Sequence, residues 1–80
     1  MTSNIPASRF TCENKPFQAG LYADVQLGCK IYHQCLDGRK STFLCNRGTL
    51  FNQRNLSCDF EERVKCAESE QYYTTNAEFN

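Results

Sequence analysis

Six cysteines in 80 residues, at Cys12, Cys29, Cys35, Cys45, Cys58 and Cys66, constrain this chain more than any other feature. So short a chain hides a smaller share of its surface than a larger domain does. With 40% hydrophobic residues, its core needs reinforcement. An even number of scattered cysteines reads as a disulfide framework formed in an oxidising, extracellular setting. The count alone leaves the pairing open.

Other uses of cysteine fit the spacing poorly. Zinc sites announce themselves by two close cysteine or histidine pairs, and here the closest cysteines enclose five residues, with His33 the only histidine. His33 therefore reads as a strand residue bonded to a neighbour. Thiol redox catalysis uses cysteines separated by two residues, and no such pair occurs. Asp24, Asp37, Asp59, Glu61 and Glu62 could supply a carboxylate pair for hydrolysis, but such groups on a charged surface are ordinarily solvated. The chain is read as non-catalytic, with no metal and no cofactor.

Nine basic residues balance nine acidic ones, and no run of five like charges occurs, so nucleic acid and anionic membrane are not expected partners. A neutral partner is expected. The same balance argues against a cationic antimicrobial peptide. No segment has the 18 consecutive apolar residues of a membrane span. The first ten residues, MTSNIPASRF, lack the apolar run of a signal peptide, so a secreted form is expected to have lost its signal.

Residues 1–11 read as a flexible leader, 12–66 as the domain, and 67–80 as a polar tail carrying Tyr72 and Tyr73, either frayed or laid across the domain by those rings. Within the domain, GCKIYHQCLDGRKSTFLC reads as strand, turn, strand. Asp37 and Gly38 favour a type I′ hairpin turn. That turn places Tyr32 opposite Phe43 and Ile31 opposite Leu44. If the strand runs extended from Cys29 to Cys35, their Cα atoms lie roughly 20 Å apart, beyond the roughly 7 Å reach of a disulfide. A second hairpin is expected in GTLFNQRNLSCDF, with Asn52 to Asn55 as its polar turn. FEERVKC could add one helical turn. The triplet NLS at Asn55 is an N-glycosylation sequon.

Four tyrosines and six phenylalanines exceed what so small a core can hide, so some rings should stay exposed. A pyranose can lie on such a ring while amide and carboxylate groups bond its hydroxyls. Core filling by Tyr32, Phe43 and Phe51 is the competing explanation.

The cysteine gaps of 16, 5, 9, 12 and 7 residues resemble those of the peritrophin-A, or type 2, chitin-binding domain. Its markers fall on Tyr32 in CKIYHQC, on Gly38, and on Gly48, Phe51, Asn52 and Asp59 in CNRGTLFNQRNLSCDF. The likeness covers Cys12 to Cys66. GLYADVQLGC, YHQC, FLCNRGTLFNQ and the later YY followed by Asn look most similar to single-domain insect cuticular proteins analogous to peritrophins.

The resemblance implies a small disulfide-rich all-β fold. Its distorted β-sandwich would have a three-stranded antiparallel sheet, its third strand around Tyr22 to Gln26, with a two-stranded hairpin and a short C-terminal helical turn. The implied bridges are Cys12–Cys35, Cys29–Cys66 and Cys45–Cys58; the last would contribute about 3 kcal/mol in the loop-entropy model. The implied function is non-catalytic binding of chitin or N-acetylglucosamine oligomers by a secreted, monomeric module of an arthropod extracellular matrix such as cuticle, with other matrix proteins as further partners. The residues assigned to chitin by this resemblance are Phe60, Tyr32, Phe51, Asn52 and Asp59. The cuticular proteins usually carry tryptophan where this chain has Phe60. The alternative from a different class is a secreted module that binds a protein partner, with Tyr72 and Tyr73 on its surface.

Overall fold

In a computed structural model that describes residues 8–79, five strands are followed by two 3₁₀ segments. Strands β1 (Ala19–Ala23), β2 (Ile31–Leu36) and β3 (Arg39–Leu44) form an antiparallel sheet in that order. β4 (Thr49–Asn52) and β5 (Ser57–Phe60) form a separate hairpin. A single 3₁₀ turn at Glu61–Arg63 precedes a longer one at Cys66–Phe79.

The first hairpin has the expected register, with Tyr32 opposite Phe43 and Ile31 opposite Leu44. Asp37 and Gly38 have φ of 51° and 84°, the paired left-handed conformation that a type I′ turn requires. The bridges are Cys12–Cys35, Cys29–Cys66 and Cys45–Cys58, with Cα separations of 5.7, 5.8 and 5.8 Å. Each lies within ordinary disulfide reach.

Three expectations need correction. The first strand of the sheet lies at Ala19–Ala23, earlier than Tyr22 to Gln26, because Asp24 begins a turn instead of continuing the strand. Its carboxylate and carbonyl both accept the Leu27 N–H. Cys29 is not on the alternating face of β2: the strand begins at Ile31, and Cys29 has φ of 64°. The second turn lies one residue later than expected, since Asn52 still belongs to β4 and its carbonyl accepts from the N–H groups of Asn55 and Leu56.

Side chains alternate across the first sheet. Ala23, Tyr32 and Phe43 form one cross-strand row, and Tyr22, His33 and Thr42 form the next on the opposite face. The first row meets the second hairpin, where Tyr32 and Phe51 stack at 4.3 Å between ring centroids. Ala23, Cys29, Cys45 and Phe51 form the core cluster, and Leu21, Tyr32, Leu50, Leu56 and Cys66 pack against it. The Cys29–Cys66 bridge and the Cys45 end of another thus join the small core.

On the other face, His33 donates from Nε2 to Asp24 at 2.7 Å, and its Nδ1 lies 2.9 Å from Thr42 Oγ1. Ser8 donates its hydroxyl to the same Asp24 oxygen, and Phe10 stacks on the His33 ring at 4.2 Å. Burial pushes the Asp24 carboxyl up, but hydrogen bonds from Ser8, His33 and the Leu27 N–H, with the His33 charge, bring it below its ordinary value.

The tail is laid across the domain. Its Asn76 and Tyr73 bond the backbone of β1 at Leu21 and Ala23. Tyr73 also packs edge-on against Tyr22, with centroids 4.8 Å apart. Among the described residues no helix is long and apolar enough to cross a membrane.

Candidate functional site

The five residues expected to bind sugar occupy three different environments. Phe60, at the end of β5, is 57% exposed and is the most open phenylalanine among the exposed large hydrophobic residues. Its preceding neighbour Asp59 is half-buried; one carboxylate oxygen accepts the Phe60 N–H at 2.8 Å, which fixes the backbone that carries the ring. The other oxygen lies 3.5 Å from the Asn52 amide nitrogen.

Asn52 is mostly buried, and its side-chain carbonyl accepts the Arg54 N–H at 3.0 Å. Its amide thus organises the turn of the second hairpin. Phe51, expected at the sugar surface, lies in the core at 1% exposure. Strand alternation puts it on one face with Cys58 and Phe60, and the Tyr32 ring stacked on it covers it there.

Tyr32 lies between. Its ring stacks on Phe51 at 4.3 Å with an interplanar angle of 20°, and on Phe43 at 5.4 Å and 25°. The result is a run of three nearly parallel rings. Phe43, at 41% exposure, is its open end. Cross-strand pairing with Tyr32 announced this contact in the sequence, but not which member would face solvent.

Arg63 was not singled out by sequence, yet its guanidinium lies over the Phe60 ring, 5.5 Å from the centroid. The signal was the three-residue spacing in FEER, since side chains at i and i+3 eclipse in a 3₁₀ turn. Arg63 also borders a cavity of about 50 Å³ beneath the hairpin turn, together with Arg54, Lys65, Glu68 and Tyr72. Tyr72 is half-buried there, with the Arg54 guanidinium 5.2 Å from its ring centroid. Tyr73 is bound to β1 by its hydroxyl. Burial, with smaller contributions from Glu70, Asp24 and Tyr22, pushes the Tyr73 phenol up to about 12.

The chitin binding Peritrophin-A domain profile matches residues 12–66, the span that contains all six cysteines and both sheets. The chain belongs to this chitin-binding family. The peritrophin-A domain is a binding domain, and chitin is the ligand its description names. Two curated relatives are U-scoloptoxin(01)-Cw1a of Cormocephalus westwoodi, 43% identical, and U-scoloptoxin(01)-Er1a of Ethmostigmus rubripes, 41% identical, each over 61 residues. Each alignment covers 75% of this chain and 50% of the relative. The peritrophin-A chain therefore spans about half the length of these relatives. They are scoloptoxins and not insect cuticular proteins, so the finer likeness to cuticle proteins is not what they bear out. No solved structure matches the chain.

Proposed function

We propose that this peritrophin-A chain is a non-catalytic module that binds chitin through the exposed edge of its second hairpin, with Phe60 as the principal ring. The observation that carries this reading is the 57% exposure of Phe60 within a domain whose family description names chitin. An aromatic face left open to water in a core this small has an unmet apolar surface, and a pyranose face covers it without adding charge. Asp59 lies beside the ring as an acceptor for hydroxyls. Tyr32 and Phe43 form a second, separate ring surface, while Phe51 and Asn52 support the hairpin from beneath. The zero net charge suits an uncharged polymer.

Secretion into an arthropod extracellular matrix such as cuticle, as a monomer, is part of the same proposal. The three bridges and the toxin names of the relatives support an extracellular destination. Residues 12–66 then form the binding module, and the tail after them straps its β1 edge through Tyr73 and Asn76. Asn55, exposed in the second turn, is proposed to carry an N-linked glycan; a mass decrease on glycosidase treatment of the secreted protein checks this.

The toxin names also favour a second reading, in which the same scaffold binds a protein partner. Pull-down of the oxidised protein on colloidal chitin separates the two, with cellulose as control and N-acetylglucosamine oligomers as competitors. Retention on chitin alone, reversed by the oligomers, supports the chitin reading. A folded, correctly bridged sample that flows through overturns it.

A further inference from the structure

The cavity beneath the second hairpin is lined by more cations than carboxylates. Arg54, Arg63 and Lys65 border it with a single carboxylate, Glu68. Among the described residues none of these three cations is in an ion pair; the pair present joins His33 to Asp24. Other polar groups of the wall are already engaged. The Gln53 amide accepts from Ala23 N–H and donates to the Leu21 carbonyl, both at 2.7 Å. Both ends of the Asn52 amide are used within the hairpin. What remains is an excess of charged donors over acceptors.

The two arginines are held in a manner that preserves their donors. Arg54 lies over Tyr72 and Arg63 over Phe60. A guanidinium held over a ring by cation–π attraction spends no hydrogen bond on that contact, so its N–H donors stay available for a planar or tetrahedral oxyanion. The net charge of the chain is zero, so this local excess is a feature of the cavity and not of the whole surface.

Size limits the occupant. About 50 Å³ holds a few waters, each needing about 10–15 Å³ of such space, or one carboxylate-sized group. A sugar ring does not fit and must lie outside. Arg63 connects the two places, because it borders the cavity and its guanidinium lies over one face of the Phe60 ring.

We propose that this cavity takes the acidic group, a carboxylate or a sulfate ester, of a sugar adjoining the one stacked on Phe60. The inference rests on the reading of Phe60 as a sugar platform. It makes the module a reader of acidic substituents on an N-acetylglucosamine-containing glycan, beyond the neutral polymer itself.

The test is an NMR amide titration of the full oxidised chain with three probes: inorganic sulfate, the N-acetylglucosamine tetramer, and a tetrasaccharide alternating N-acetylglucosamine with glucuronate. The acidic tetrasaccharide is expected to bind about tenfold more tightly than the neutral tetramer at low salt, as gaining one or two charge-assisted hydrogen bonds implies. The advantage should shrink in 0.5 M salt through screening. Sulfate alone should shift the amides of Arg54, Arg63, Lys65 and Tyr72. Arg54→Gln and Lys65→Gln should each cut the advantage several-fold without changing affinity for the neutral tetramer; Arg54→Lys should recover it only in part. Equal affinity for both tetrasaccharides overturns the proposal while leaving the Phe60 reading intact. An advantage that persists in both glutamine variants places the acid elsewhere and also overturns it. Sulfate shifts with neither oligosaccharide bound overturn the Phe60 reading and, with it, the assignment to sugar.

Discussion

Asn76 holds the backbone of Leu21 at both ends: its side-chain carbonyl accepts the Leu21 N–H and its amide donates to the Leu21 carbonyl, each at 2.8 Å. These bonds occupy part of the outer edge of β1, which would otherwise offer unpaired groups to another strand. Gln53 and Tyr73 complete the cover at Ala23. The tail is therefore a side-chain substitute for a fourth strand. Asn76→Ala should cost about 1–3 kcal/mol, because it leaves the Leu21 N–H without its acceptor, while the Leu21 carbonyl keeps the Gln53 amide. For a domain of this size each kcal/mol lowers Tm by about 4–8 °C, so a thermal melt reads the loss directly.

Gly20 is coupled to the same amide. A Cβ at position 20 would come within 2.7 Å of Asn76 Cγ, so Gly20→Ala should displace the tail and destabilise by about 1–3 kcal/mol. In the double variant the clash and the amide are both gone. The combined loss is expected to fall short of the sum of the single losses by more than about 0.5 kcal/mol. Strict additivity would show that Gly20 and Asn76 act independently.

Asp24 sets the acid limit. Its folded carboxyl lies below its ordinary value, so its contribution is fully present above the unfolded pKa, about 3.9, and is lost as pH falls through the lower folded value. Melts from pH 7 to pH 2 should show Tm falling below about pH 4. Asp24→Asn should be less stable at neutral pH and should follow a flatter acid limb. An unchanged acid limb in the variant would assign that loss to other carboxylates.

These two clusters also mark what the sequence could and could not disclose. Asp37 and Gly38 set the first hairpin locally, and its apolar pairs followed by counting. Asp24 was misplaced in a strand because a capping carboxylate resembles a polar residue on an exposed face; only its bonds to Leu27, Ser8 and His33 distinguish the two. Asn76 meets Leu21 across 55 positions, a separation that no local pattern reports. At the candidate site, the register of the hairpin puts Phe51 and Phe60 on one face, and alternation alone does not say which is covered. Phe51 lies under Tyr32, whereas Phe60 ends its strand beyond the reach of the first sheet's rings.

Tyr73 sets a marker at high pH. Its folded pKa, raised to about 12, favours the protonated phenol that donates to the Ala23 carbonyl at 2.9 Å. The corresponding stability is present below the unfolded pKa of about 10 and is lost as pH rises through about 12. Burial also raises the Tyr22 phenol, so absorbance titration should show Tyr73 among the late-ionising tyrosines. Tyr73→Phe should reduce the late amplitude by one tyrosine and, by losing a hydrogen bond, cost about 1 kcal/mol.

Phe51 and Phe60 separate stability from binding. Phe51 is 1% exposed and belongs to the core cluster, so Phe51→Ala should cost about 3–5 kcal/mol, enough to threaten folding of so small a domain. Phe60 is 57% exposed and covers little of the interior. Phe60→Ala should therefore shift Tm by only a few degrees while reducing retention on colloidal chitin at least tenfold, the effect of about 1.4 kcal/mol. Phe60→Trp enlarges the ring face and should increase retention. A variant that keeps full retention after Phe60→Ala would move the sugar platform to the open end of the other ring stack, at Phe43, where the corresponding alanine substitution would then abolish binding.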